Sequence, residues 1–107
     1  MKFAIQVHPN HNWQVSQHHA RKLCDELLLS GHELVAVFFY GSCSNIAEIN
    51  NRHDWIDWDA SIAPLLVCST LTQQMNINHD TNSVFDVTGM ARWMQLLEQA
   101  DQLVTIP

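Results

Sequence analysis

Three cysteines and seven histidines are the residues of this chain best suited to chemistry. Cys68 has the most informative setting among them. In PLLVCSTLTQQ, residues 64–74, an apolar run of Leu65, Leu66 and Val67 leads straight into the thiol, and Ser69 and Thr70 open a segment able to start a helix. A residue between a strand end and a helix start lies close to unpaired backbone N–H groups, the positive end of the helix dipole. That field lowers a thiol's pKa, and the thiolate is the form that attacks sulfur. The sequence thus predicts an exposed Cys68 at the rim of a sheet, held as an anion by backbone dipoles, with Ser69 and Thr70 in support. The competing reading is a small buried hydrophobe that ends a core strand.

Spacing removes several thiol chemistries. A Cys-x5-Arg phosphatase loop needs Arg at position 74, which is Gln74. A thioredoxin-type pair needs a second cysteine three positions away, and there is none. Gly31, Gly41 and Gly89 are the only glycines, so no Gly-rich phosphate loop exists. A receiver domain would carry an acidic pair after its first strand and Asp at the end of its third; His8 and Cys68 stand near those places. A lone reactive cysteine remains, suited to thiol exchange or sulfur carriage, with no cofactor called for.

Other side chains could support it. Cys43 follows the second apolar run and is placed to approach Cys68, as a resolving thiol or disulfide partner. The alternative is an unpaired loop cysteine. Cys24 falls on the apolar face of a helix and reads as core. His8 and His11 flank a loop at the same edge, where an imidazolium would favour the thiolate. Together with Cys43 and Cys68 they also make a Cys2His2 zinc site conceivable, although no local ligand spacing supports one. Trp13, Trp55 and Trp58 read as an interface cluster, Trp93 as core, and Asp54, Asp57 and Asp59 as a solvated acidic face or a patch for a basic partner.

The elements that must position these residues follow from the pattern of apolar positions. KFAIQVH, residues 2–8, alternates as a strand. PNHNWQV reads as a loop, with Ser16 as N-cap of a helix carrying Ala20, Leu23, Cys24, Leu27 and Leu28 and closed by Gly31. ELVAVFFY, residues 33–40, is almost continuously apolar, as in a strand buried on both faces of a parallel sheet. GSCSNIAEIN is a turn into a short helix, and RHDWIDWDAS a partly exposed helix or loop. SIAPLLVC, residues 61–68, gives the third strand, followed by a short helix over 70–75. NINHDTNSV is a polar loop expected to be mobile. A small extra strand falls near Val84–Val87, then a helix in TGMARWMQLLEQA and a last strand in DQLVTI. This alternation predicts one α/β domain over residues 1–107, three-layered and built on a mostly parallel sheet. Sites in such sheets lie beyond the carboxyl ends of the strands.

Composition bounds the partners. The 107 residues allow a single core, and 47% are hydrophobic. Only 15% are charged, which leaves neutral surface to face a partner, as in a homo- or hetero-oligomer. A net charge of −6 with five Lys and Arg argues against direct nucleic-acid binding. No apolar run reaches the ~18 residues of a membrane span. The opening residues lack a signal-peptide core, and the cysteines form no disulfide framework, so a cytoplasmic protein is expected.

FAIQVH, the helix over 16–28, GHELVAVFFY, the strand ending in Cys68 and VTGMARWMQLLEQADQLVTI together resemble the DsrE/TusD family of sulfur-relay proteins. The resemblance implies a sulfurtransferase function: a persulfide carried on Cys68, taken from a TusA-like donor and passed to a TusE-like acceptor, as in tRNA 2-thiouridine synthesis or in sulfur oxidation. It also implies the DsrE-like fold, a three-layer α/β/α sandwich with a mostly parallel five-stranded sheet, and assembly with related subunits. The stretch STLTQQMNINHDTNS is shorter than its TusD counterpart and lacks an Arg-Gly turn after the cysteine. The alternatives are a non-catalytic interaction subunit of a TusBCD/DsrEFH-like complex, and a metal-binding or redox-sensing module.

Overall fold

Backbone pairing of the apolar segments builds the molecule. A computed structural model describes residues 1–80 and 83–107. In chain order the elements are β1 (Lys2–Val7), α1 (Trp13–Leu29), β2 (Glu33–Phe39), a 3₁₀ helix (Gly41–Ala47), β3 (Leu65–Cys68), α2 (Ser69–Gln74), β4 (Phe85–Thr88), α3 (Met90–Leu97) and β5 (Gln102–Ile106). The five strands form one sheet in the order β4-β3-β2-β1-β5, every neighbour parallel. The expected three-layer α/β/α sandwich is therefore present. Strands β1 to β4 step in one direction, and β5 returns to the far side of β1.

Alternation divides the core into two faces. Ile5, Val7, Val37, Phe39, Leu65, Val67 and Phe85 pack with α1, the 3₁₀ helix, Trp55 and Trp58. Ala4, Ala36, Phe38, Leu66 and Cys68 face the other way, packing with Trp93 of α3. Trp93 stacks on Phe38 at 5.0 Å between centroids.

Several boundaries differ from the sequence reading. Helix α1 begins at Trp13, because Asn12 and not Ser16 is its N-cap: the Asn12 side chain accepts the N–H of Gln14 at 2.9 Å. Ser16 is buried, and its hydroxyl donates to the Pro107 carbonyl. At the other end Gly31, with φ +83°, takes the left-handed position after the helix that its sequence place predicts. Strand β3 starts at Leu65 rather than residue 61; Pro64 contributes only a carbonyl, to the N–H of Val37. Strand β4 is a full member of the sheet. The polar loop expected to be mobile contains Thr81 and Asn82, which lie outside the described residues. Its described part is tied back: Ile77 donates to Thr72, Asn78 donates to the Glu48 carboxylate, and His79 bridges Glu48.

The expected tryptophan interface is instead part of the core. Trp55 and Trp58 are buried, and Trp13 packs against the same cluster. Arg21 of α1 brings the loop inward. Its guanidinium lies 5.6 and 5.2 Å from the ring centroids of Trp55 and Trp58, and it donates to the Asp54 carbonyl and the Asp57 carboxylate. Asp25 also pairs with it, and His18 pairs with Asp54. Two of the aspartates read as a solvated face thus anchor to α1. We expect Arg21→Ala to lower stability by about 2–3 kcal/mol, from lost cation–π contact and charged hydrogen bonds. Urea denaturation followed by tryptophan fluorescence measures this, and Arg21→Lys should restore only part of the loss, lacking the planar fork.

The same loop carries a pH-sensitive contact. His53 Nδ1 accepts the N–H of Trp55 at 3.1 Å, and its ring packs edge-on against Phe85. Burial holds His53 below the usual 6.5, outweighing the opposing effect of Asp54. The folded imidazole then stays neutral while the unfolded chain takes up a proton, so this contribution to stability falls as pH drops below about 6.5. His53→Asn keeps an acceptor in place and should reduce the loss of urea midpoint between about pH 7 and pH 5.

Candidate functional site

Cys68 is the last residue of β3 and the N-cap of α2, at the carboxyl edge of the sheet. The sequence predicted that position, but its predicted exposure is corrected: Cys68 is only 4% accessible. Alternation explains this. Cys68 follows Leu66 onto the α3 face, in a cluster completed by Phe38 and Trp93, with Leu71 and Leu96 packed against it. Its side chain makes no capping hydrogen bond to the amides of α2, so the expected amide cradle is not formed around the thiol. Ser69 and Thr70 make the first turn of α2, and the Ser69 carbonyl accepts the Thr72 hydroxyl at 2.8 Å.

The neighbours of Cys68 come from strand register. Cys68 pairs with Thr88, the last residue of β4. Phe39 pairs with both Val7 and Val67, so the next residues along, His8, Tyr40 and Cys68, reach the same edge together. Four strands therefore present His8, Tyr40, Cys68 and Thr88 across one end of the sheet. Tyr40 packs against the cluster that holds Cys68 and contacts the His8 ring at 5.1 Å between centroids. Gly41, at φ +61°, makes room for that imidazole: a Cβ there would lie 3.0 Å from His8 Cδ2. Because β2 lies between β1 and β3, His8 stands two strand spacings from Cys68, about 10 Å. It is therefore not the adjacent imidazolium that the sequence allowed.

The other predicted partners are elsewhere. Cys43 is fully buried in the opposite core, its thiol directed at the Trp13 carbonyl at 4.0 Å. The sheet thus separates Cys43 from Cys68, which corrects the resolving-thiol and disulfide readings. His11 lines a cavity of about 510 Å³ with Val15, His19 and Pro107, beside α1. A second cavity of about 280 Å³ is lined by Glu48, His53 and Phe85 among others, and neither includes Cys68. The conceivable Cys2His2 site is thereby dispersed, and among the described residues no group of three or more His, Cys, Asp or Glu is arranged to hold a metal ion. No helix of the described residues is long and apolar enough to cross a membrane.

Sequence reasoning missed Tyr40 and Thr88. Thr88 was recoverable by the logic applied to Cys68, since it ends a strand just before Gly89, the N-cap of α3. In sequence the segment reads only as a small extra strand, because Asp86 and Thr88 interrupt its apolar pattern. No protein-family model matches the chain, and no curated protein matches it.

The three thiols differ in setting. Burial pushes Cys24 and Cys43 up to about 12, with Asp25 adding to the effect at Cys24. At pH 7 that leaves a thiolate fraction on the order of 10⁻⁵. Ellman's reagent should therefore modify at most one thiol of the native protein, and all three only in denaturant. Cys68→Ser should abolish the native-state reaction. Modification of Cys24 or Cys43 before Cys68 would contradict this order.

Proposed function

We propose that the protein is a sulfur-relay sulfurtransferase of the DsrE/TusD type, carrying sulfane sulfur as a persulfide on Cys68. The observation that supports this reading is the place of Cys68, ending a strand and opening a helix at the carboxyl edge of an all-parallel sheet. Ligand chemistry in open parallel sheets collects at that edge. The motifs GHELVAVFFY and VTGMARWMQLLEQADQLVTI add the resemblance to the family.

The chemistry is two thiol-exchange steps. The Cys68 thiolate attacks the outer sulfur of a donor persulfide, R–S–SH. A bond forms between that sulfur and Sγ, the donor S–S bond breaks, and the donor leaves as R–S⁻. An acceptor thiolate then attacks the outer sulfur of Cys68–S–SH, taking it as R′–S–SH and returning Cys68 to the thiolate. Charge and atoms balance in each step, with no external oxidant or reductant. A TusA-like donor and a TusE-like acceptor would fill these roles, within a homo- or hetero-oligomer of related subunits that meets tRNA only through a partner. Since Cys68 is covered at rest, exchange requires α2 or α3 to move aside. Helix α2 has only six residues, which makes it the easier element to displace.

One observation favours a second reading. The burial of Cys68 is what an inert, non-catalytic interaction subunit of a TusBCD/DsrEFH-like complex would show. Mass spectrometry after incubation with a cysteine desulfurase and cysteine separates the two. The relay reading expects a gain of one sulfur (~32 Da), removed by reductant and absent in Cys68→Ser. No adduct, or one that persists in full in Cys68→Ser, rejects the relay. Alkylation as slow as that of Cys24 would support the subunit.

A further inference from the structure

Strand β5 forms one edge of the sheet and pairs with β1 over all five of its residues, without a register shift. His8 donates to the Ile106 carbonyl, so Ile106 turns its backbone groups toward β1. Successive residues of a strand alternate in this respect, so Gln102 and Val104 follow Ile106 while Leu103 and Thr105 direct theirs outward. Those N–H and C=O groups have no partner among the described residues. Proteins guard such edges with charged side chains, proline or bulges. The segment QLVTI contains none of these. The opposite edge strand, β4, is guarded by Asp86, which pairs with Arg92.

The surface beside β5 is apolar on both faces. Leu103 lies opposite Ala4 on the α3 face and is 45% accessible. Met90 and Met94, both exposed, project from the flank of α3 opposite Arg92, and so toward β5 rather than β4. On the α1 face, the exposed Val15 and Pro107 line a shared cavity.

From this arrangement we infer that β5 is a docking edge for a second copy of this chain, the two β5 strands pairing antiparallel about a two-fold axis at Val104. That axis sets Leu103 of each copy opposite Thr105 of the other. Both outward residues of each strand are then matched, giving four backbone hydrogen bonds. An axis normal to the sheet also continues each face into the same face of the other copy, so the apolar flanks meet. A stable dimer buries about 800 Å² per partner. A five-residue strand alone covers less, and the flanks extend it on both sides. Charge favours a second copy here and opposes one elsewhere. The chain carries a net −6, yet residues 102–106 are all uncharged. The antiparallel register also separates the two Asp101 carboxylates by ~20 Å, beyond the ~8 Å screening length. The inference is independent of the relay reading, because β5 lies three strand spacings, about 15 Å, from the strand of Cys68.

Sedimentation equilibrium of the full chain, over a concentration series reaching about 1 mM, tests it. The wild type should approach twice its 12.3 kDa mass. Leu103→Lys sets two cations diagonally across the pair and Thr105→Glu two carboxylates, so each should weaken the dimer roughly tenfold. An equimolar mixture of these two variants places the new cation of one chain directly opposite the new carboxylate of the other, and should recover the dimer. Thr105→Pro removes an outward N–H and should weaken the dimer without any charge. Circular dichroism identifies the variants that remain folded, and the two charge variants carry the test should the proline disturb β5. A single 12.3 kDa species throughout the series leaves the edge to a strand of another protein and overturns the inference. A dimer unaffected by either charge lies on another surface and overturns it too, and a mixture that does not recover rejects the antiparallel register. A dimer that follows this pattern but takes up no sulfur on Cys68 upholds the docking edge and rejects the relay; a monomer that takes up sulfur does the reverse.

Discussion

A parallel sheet must be covered on both faces, because its crossover connections and continuous apolar strands leave neither face suited to water. In this protein the two covers are unequal. One face receives the seventeen-residue α1, the 3₁₀ helix and two buried tryptophans; the other receives chiefly the eight-residue α3. Every buried contact on the lighter side therefore matters more. Ala4 and Ala36 keep the sheet surface low, and Trp93 lies flat on Phe38. Cys68 completes this small cluster. Its thiol is covered because Trp93, Leu71 and Leu96 pack over the end of β3.

The heavier face shows a different solution. Residues 50–64 form no helix or strand of the sheet, yet they hold Trp55 and Trp58 in the interior. The guanidinium of Arg21 supplies a flat cation for both rings and hydrogen bonds for the surrounding loop. The Trp58 indole N–H donates to the Ala63 carbonyl, whereas that of Trp55 is buried without a partner among the described residues. Ring packing, including the edge-on contact of Trp55 with Phe39, outweighs that missing bond.

The strand pattern was legible where burial on both faces demands continuous apolar sequence, as in ELVAVFFY and LLVC. It was weaker at β4, where Phe85 and Val87 alternate with Asp86 and Thr88 and local sequence hides how many neighbours the strand has. The tryptophans were misread because three aspartates surround them, while the residue that draws them inward, Arg21, lies more than thirty positions earlier. The strand-end position of Cys68 was readable from its own neighbours. Its accessibility was not, because the cover comes from Trp93 and Leu96, in a helix a crossover later. Cys43 failed as a partner for a related reason: the 3₁₀ helix after β2 carries it to the opposite side of the sheet, and no local spacing encodes that turn.

The reversal of direction at β5 has a consequence for assembly of the chain. Phe3 pairs with Gln102 and Val7 with Ile106, so the innermost contacts of β1 join segments from opposite ends of the domain. Closing so large a loop costs entropy that local pairing does not offset, and such topologies fold slowly. Until β5 arrives, one edge of β1 is an open ladder of amides and carbonyls beside apolar side chains. That unpaired edge is where the nascent chain is most exposed to wrong strand partners.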